Sequence, residues 1–347
     1  MKNKFSSLKI MEKNKLFTVS ASPHISSRET VPGIMRDVLI SLSPALAAAV
    51  LIFGFRSLLV TAVCVISCIL SEYLSRKAMK RKNTVSDLSA TVTGLLLAFN
   101  LPVDMPLWMA AVGSVFAIVV VKQFFGGLGN NFVNPAIGGR IMLLVCFPVA
   151  MSTWALPMAW RTKPDVTTGA TLLYKLSGMD MSGDIAEGMG AAGLPSMFDM
   201  LIGRRGGSLG EACTIALILG GVYLIARKII KPVIPLSFIG TVAVIMLFAG
   251  KFDLDFLGYQ IMGGGLILGA VFMATDYVTC PSTNKGKLVF GIGCGVITAV
   301  IRLYGSLPEG VSYSIIIMNI LTPLIDRVTA LKPFGFVKEK AEKEAKA

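Results

Sequence analysis

Uncharged apolar runs recur along almost the whole chain, from Val38 to Ile325. No other feature limits the fold as strongly. Segments of this kind must be taken out of water. Inside a bilayer the backbone must also satisfy its own hydrogen bonds, and a single apolar segment can do so only as a helix. Ten such segments can be drawn, at 36–55, 57–75, 85–102, 105–122, 135–155, 210–227, 233–250, 257–276, 287–304 and 312–328. Only 15% of the 347 residues are charged, against roughly 25% in a soluble domain. The expectation is therefore an all-α polytopic membrane protein with about ten transmembrane helices. Several segments fall short of the roughly 20 apolar residues that a full span needs. Short, glycine-interrupted segments become broken or half helices where protein covers their backbone.

The formal net charge is +13. In a polytopic protein such an excess marks cytoplasmic loops, so no nucleic-acid partner is expected. With the N-terminus inside, 25 Lys and Arg fall on the cytoplasmic side, Lys122 and Arg140 among them, and 8 on the other, including Arg205 and Arg302. Both termini are thus expected in the cytoplasm. The segment before Met35 is polar and basic and lacks a signal-peptide apolar region, so the first helix should stay as an anchor. The organisation that follows is a cytoplasmic segment at 1–35, five helices at 36–155, an external loop at 156–209, five more helices at 210–328 and a charged cytoplasmic tail at 329–347. A weak internal repeat supports the division. Gln123–Leu128 resembles Arg302–Leu307, and Gly94–Asn100 resembles Gly269–Asp276 apart from one inserted residue. Five helices per copy would invert one half relative to the other, and inverted repeats frame sites near the bilayer midplane.

Metal chemistry finds little support. Of the six cysteines, Cys64 and Cys68 share a helix face, but no further ligand lies nearby and no CxxC occurs. The one histidine, His24, precedes the first helix. Neither a metal site nor a His-ligated haem is expected.

Three motifs carry candidate chemistry. In the long loop stands Asp165-Val-Thr-Thr168-Gly169-Ala170-Thr171. Gly and Ala allow close approach, and a threonine oxygen can accept a phosphoryl group. An ordinary turn with an N-capping threonine explains the same residues. Between two apolar segments lies Phe125-Gly-Gly-Leu-Gly-Asn-Asn131-Phe-Val-Asn134-Pro-Ala136. Its amides suit a polar ligand, and Asn134-Pro135 also reads as a helix cap with proline in the first turn. The third is Phe272-Met-Ala-Thr-Asp276. Asp276, Glu72 and Asp326 sit near the cytoplasmic ends of their segments, where acids are either functional or paired with neighbours such as Arg76, Lys77 and Arg327.

Together these stretches resemble one family, the D subunit of the Rnf electron-transport complex and its relative, the B subunit of the sodium-pumping NADH:quinone reductase. The resemblance also rests on Ser22–Ile25, Asp87–Ala90, Thr93–Leu97, Gly207–Glu211, Pro281, Pro308–Gly310 and Pro323–Asp326. Tyr277 departs from it, standing where proline usually follows the aspartate. The resemblance implies FMN joined through a phosphodiester to Thr171, the last residue of Thr168-Gly169-Ala170-Thr171, by a separate flavin transferase. It implies a non-covalent riboflavin near Asn131 and Asn134, and cation uptake at acids matching Glu72, Asp276 and Asp326. It implies a relay component without catalytic residues of its own, in a bacterial cytoplasmic membrane, alongside the A, B, C, E and G components of the Rnf complex. That complex passes electrons between ferredoxin and NAD and moves sodium ions or protons. The alternatives are a secondary transporter for a small polar solute, a component of the quinone reductase, and a structural scaffold.

Overall fold

The computed structural model describes residues 29–162, 168–169, 172–177, 194–211, 213–305 and 309–330. From Val31 onward the chain forms one compact unit. Its apolar helices are α1 (Val31–Phe53), α2 (Phe55–Ala78), α3 (Ser89–Phe99), α4 (Leu107–Gln123), α5 (Pro135–Cys146), α6 (Thr214–Ala226), α7 (Val233–Ala249), α8 (Leu254–Met262), α9 (Leu266–Met273), α10 (Asn284–Tyr304) and α11 (Val311–Thr329). Among the described residues, α1, α2, α10 and α11 are long and apolar enough to cross a bilayer. The pair α8 and α9, bent by 59°, makes a fifth candidate. This is the architecture of a polytopic membrane protein.

The remaining helices are short. The 11 residues of α3 reach about 16 Å at 1.5 Å per residue, roughly half the apolar thickness of a bilayer. Other helices therefore cover their ends. α2 lies against α3 and α4, and α7 lies against α8 and α10. α4 packs on α5, α10 on α11, α1 on α6, and α5 on α11. Small residues set these distances: a Cβ at Gly94 would sit 2.7 Å from the Val65 backbone, and one at Gly291 would strike Ser237.

Two expectations change in detail. The segment drawn as one span over 135–155 stops at Cys146, and a separate short helix, Pro148–Ser152, follows Phe147. Pro148 has no N–H to continue the ladder. Lys122 and Arg140, counted above with the cytoplasmic loops, lie within helices at 1% and 4% exposure. Arg205 and Arg302, counted opposite, are buried as well. The imbalance of basic residues survives without all four.

The break between α8 and α9 falls on Gly263, Gly264 and Gly265, and Gly264 takes a φ of 64°. A helix end inside protein needs partners for its last carbonyls. Arg302 supplies them, donating to the Gln260 carbonyl at 2.5 Å and to that of Gly263 at 3.1 Å, while Arg205 donates to the Met262 carbonyl. In the long loop, β1 (Trp154–Ala155) pairs antiparallel with β2 (Thr168–Gly169). A short helix, Leu172–Ser177, follows.

Candidate functional site

A cleft opens where α1, α3, α4, the end of α6, the start of α5 and the turn after α9 meet. It encloses about 100 Å³, or about 800 Å³ with its mouth included. The glycine-rich run builds one wall. Gly126, Gly127 and Gly129 all take positive φ, which glycine alone adopts freely. That path turns the chain so that α5 starts at the cleft. Asn134 caps it, accepting from the amides of Ala136 at 3.0 Å and Ile137 at 3.4 Å, with Pro135 in the first turn. The Asn134 amide nitrogen crosses to the second half of the chain and donates to the Met273 carbonyl at 3.2 Å. Asn131 donates to the Val133 carbonyl at 3.1 Å and lies beside Asp276. Met273 ends a π-helical stretch, Gly269–Met273, and at a helix end the last carbonyls have no partner within the helix and can take such outside donors.

The structure thus brings Asn131, Asn134 and Asp276 together. Asp276 is half-buried, accepts from Thr279 at 3.2 Å, and has no basic side chain within 4.0 Å among the described residues. The apolar side chains of Leu96, Leu224, Ile230 and Phe272 complete the cleft. Apolar walls with amide and hydroxyl edges suit a flat heteroaromatic ring.

Glu72 departs from the pairing suggested by its neighbours. It is fully buried, and its partner is Lys122, 3.1 Å away on α4. Gln123 donates to it at 3.0 Å and Thr84 at 2.8 Å. Lys122 also donates to Ser89 at 2.6 Å and lines the cleft. A π-helical stretch, Ala117–Gln123, brings the successive residues Lys122 and Gln123 onto one carboxylate. Asp326 stands apart from the cleft lining. It accepts from the amide and hydroxyl of Ser282, at 3.1 and 3.2 Å, rather than pairing with Arg327.

Farther along α5 is a cluster that sequence reasoning missed. Arg140 donates to Asn100 at 2.6 Å and pairs with Glu309. Arg205 donates to the Glu211 carbonyl at 2.6 Å. Burial pulls the Arg205 pKa below the usual guanidinium value, and nearby Glu211 opposes that pull. The Glu211 side chain is buried, and its Oε1 has no hydrogen-bond partner among the described residues. A cavity of about 10 Å³ lies between Glu211, Glu309, Arg205 and the leucines Leu172 and Leu173, the size of one water. An arginine inside an apolar run, Gly139-Arg140-Ile141, was the available signal.

Thr168 and Gly169 form β2, and Leu172 opens the short helix. Asp165, Ala170 and Thr171 lie outside the described residues.

The cleft and the cluster are joined. Asn134 holds the Met273 carbonyl, Asn100 approaches the Met273 sulfur at 3.6 Å, and Arg140 links Asn100 to Glu309.

The chain is 45% identical over 333 residues to the D subunit of the Na(+)-translocating ferredoxin:NAD(+) oxidoreductase complex of Acetobacterium woodii, covering 95% of this chain and 98% of that one. It is 44% identical over 328 residues to the D subunit of the proton-translocating ferredoxin:NAD(+) oxidoreductase complex of Clostridium ljungdahlii, covering 93% and 97%. The D subunit of the ion-translocating oxidoreductase complex of Stutzerimonas stutzeri is 37% identical over 332 residues, covering 89% and 93%. The model of the NQR2, RnfD, RnfE family matches residues 18–335. On that match, and on identities at this level over nearly its whole length, the chain belongs to the NQR2, RnfD, RnfE family.

Proposed function

We propose that the chain is the flavin-carrying membrane component of a redox-driven ion-translocating complex of the ferredoxin:NAD type. One observation carries the reading. A single cleft gathers Asn131 and Asn134 from the first half of the chain and Asp276 from the second, in the setting that a flavin ring and a cation both require. Flavin bound there, and flavin joined to Thr171, would supply the redox chemistry; the chain supplies position and polarity.

Asn131 and the apolar walls hold the riboflavin ring. Asn134 shapes the site, since both ends of its amide are engaged by α5 and Met273. Thr171 takes FMN through its phosphate from a flavin transferase. Asp276 admits the translocated cation, Lys122 and Glu72 set the charge beside it, and Asp326 fixes the Ser282 turn. Two relatives of nearly equal identity are named for different ions, so the choice of sodium or proton rests on fewer residues than the fold.

The helices form two inverted sets of five. Support comes from the pattern in which α2 packs on α3 and α4 while α7 packs on α8 and α10. Both termini lie in the cytoplasm of a bacterium and the Thr171 loop lies outside its inner membrane. The A, B, C, E and G components of the Rnf complex complete the electron path.

The test is in-gel fluorescence and intact mass. The wild-type chain made with its transferase should carry the FMN increment and fluoresce, and Thr171→Ala should show neither. Thr168→Ala should keep both. A solute transporter using the same cleft would lack the increment in every case, and retention of covalent flavin by Thr171→Ala would overturn the attachment.

A further inference from the structure

We propose that a groove beside the cleft, walled by Lys228, Lys231 and Lys287, binds the headgroup of an anionic phospholipid. The connection between α6 and α7, the turn after α9 and the first turn of α10 build it. Its volume is about 200 Å³. Ile230 and Ile234 line it together with the three lysines, and no carboxylate lines the groove among the described residues.

The charges are uncompensated. None of the three lysines forms an ion pair among the described residues; Lys231 donates to the neutral Asn284 side chain at 3.2 Å. The acids nearest Cys280, at the edge of the groove, are Asp276 and Asp326, and these accept from Thr279 and Ser282. Lys228 sits in the left-handed region, at φ 58°, in the tight turn after α6. Three cations around one hollow favour a phosphate.

Position selects the source of that phosphate. α6 ends at Ala226, α7 begins at Val233 and α10 begins at Asn284. The groove therefore lies at the level where three apolar helices end, which is where headgroups lie. Further along the same helices, Leu236, Leu288 and Val289 are exposed and offer a surface to acyl chains. A soluble phosphate would have no use for them. The groove shares Ile229, Ile230, Thr275 and Tyr277 with the cleft, so a seated headgroup would brace one wall of the cleft. The proposal does not depend on the flavin reading.

The experiment is native mass spectrometry of the full chain released from nanodiscs. From phosphatidylglycerol discs the wild type should retain the lipid, and K228Q/K231Q/K287Q should retain on the order of a hundredfold less. From phosphatidylcholine discs little should be retained, and millimolar inorganic phosphate should not displace phosphatidylglycerol. Equal retention by wild type and variant, equal retention of the two lipids, or displacement by phosphate would each overturn the proposal. Should the variant fail to fold, lysine acetylation of the wild type decides the matter. Lys228, Lys231 and Lys287 should react several-fold more slowly in phosphatidylglycerol discs than in phosphatidylcholine discs, and equal rates would reject the site.

Discussion

Glu72 and Lys122 keep 0% and 2% of their side chains exposed and hold each other 3.1 Å apart inside the bundle. Removing one partner of a buried pair strands the other and costs about 3–5 kcal/mol, whereas an apolar pair of similar volume can be neutral. Glu72→Gln should therefore lower the thermal midpoint of the purified chain sharply. Joint replacement, Glu72→Gln with Lys122→Met, should recover much of the loss; no recovery would show that the hydrogen bonds of the pair to Ser89, Gln123 and Thr84 carry it instead. Asp276 behaves differently because no basic side chain pairs with it among the described residues. Asp276→Asn keeps the shape and removes the charge. The assembled complex should lose cation-dependent turnover while Thr171 stays flavinylated, and unchanged cation dependence would make Asp276 structural. Asn134 is a third case. Asn134→Ala removes a helix cap, worth about 0.5–2 kcal/mol, and leaves the Met273 carbonyl without its donor. A lower thermal midpoint, with looser flavin retention in the cleft, is the expected outcome.

Among the elements, the break between α8 and α9 depends on Gly264. Its φ of 64° is strained for any residue with a Cβ, and that Cβ would sit 2.5 Å from a Leu173 methyl carbon. Gly264→Ala should push the Leu172–Ser177 helix off the break. Hydrogen exchange of its amides should accelerate while α10 stays protected. The start of α5 was legible, because Asn-Pro states both the cap and the first turn. The break was not drawn: 257–276 reads as one apolar segment, and only its three successive glycines point to the interruption. The partner of Glu72 was not legible either. Lys122 is 50 positions away, and its direction depends on a π-helical stretch that no periodicity in Ala117–Gln123 announces. The local rule that pairs acids with adjacent arginines failed at Asp326 for a related reason. Ser282, 44 positions away, offers both an amide and a hydroxyl, which side chains on the same helix do not.

Across the whole molecule, polar contacts run from the cleft through Asn134, Met273, Asn100 and Arg140 to Glu309. They bind the first half of the chain to the second at two depths of α5. The sequence showed the glycine-asparagine run and the Pro308–Gly310 stretch as separate motifs. That Arg140, on the helix opened by the first, reaches Glu309 in the second is a property of packing, which hydrophobic pattern alone does not encode. The link also bears on how the chain is made. Arg140 sits mid-way along a helix of 12 residues. An arginine at the centre of an inserted helix costs about 2.5–3.5 kcal/mol. Asn100 is already made when α5 leaves the ribosome, but the carboxylates beside Arg140 come later, Glu211 first and its ion-pair partner Glu309 only 169 residues on. Insertion of α5 should therefore be delayed rather than sequential. A nascent chain arrested before Glu309 should leave a cysteine placed at Ile141 open to aqueous labelling, and the completed chain should shield it. The order of translation would then differ from the order of integration, and α5 would enter the bilayer only as the end of the protein arrives.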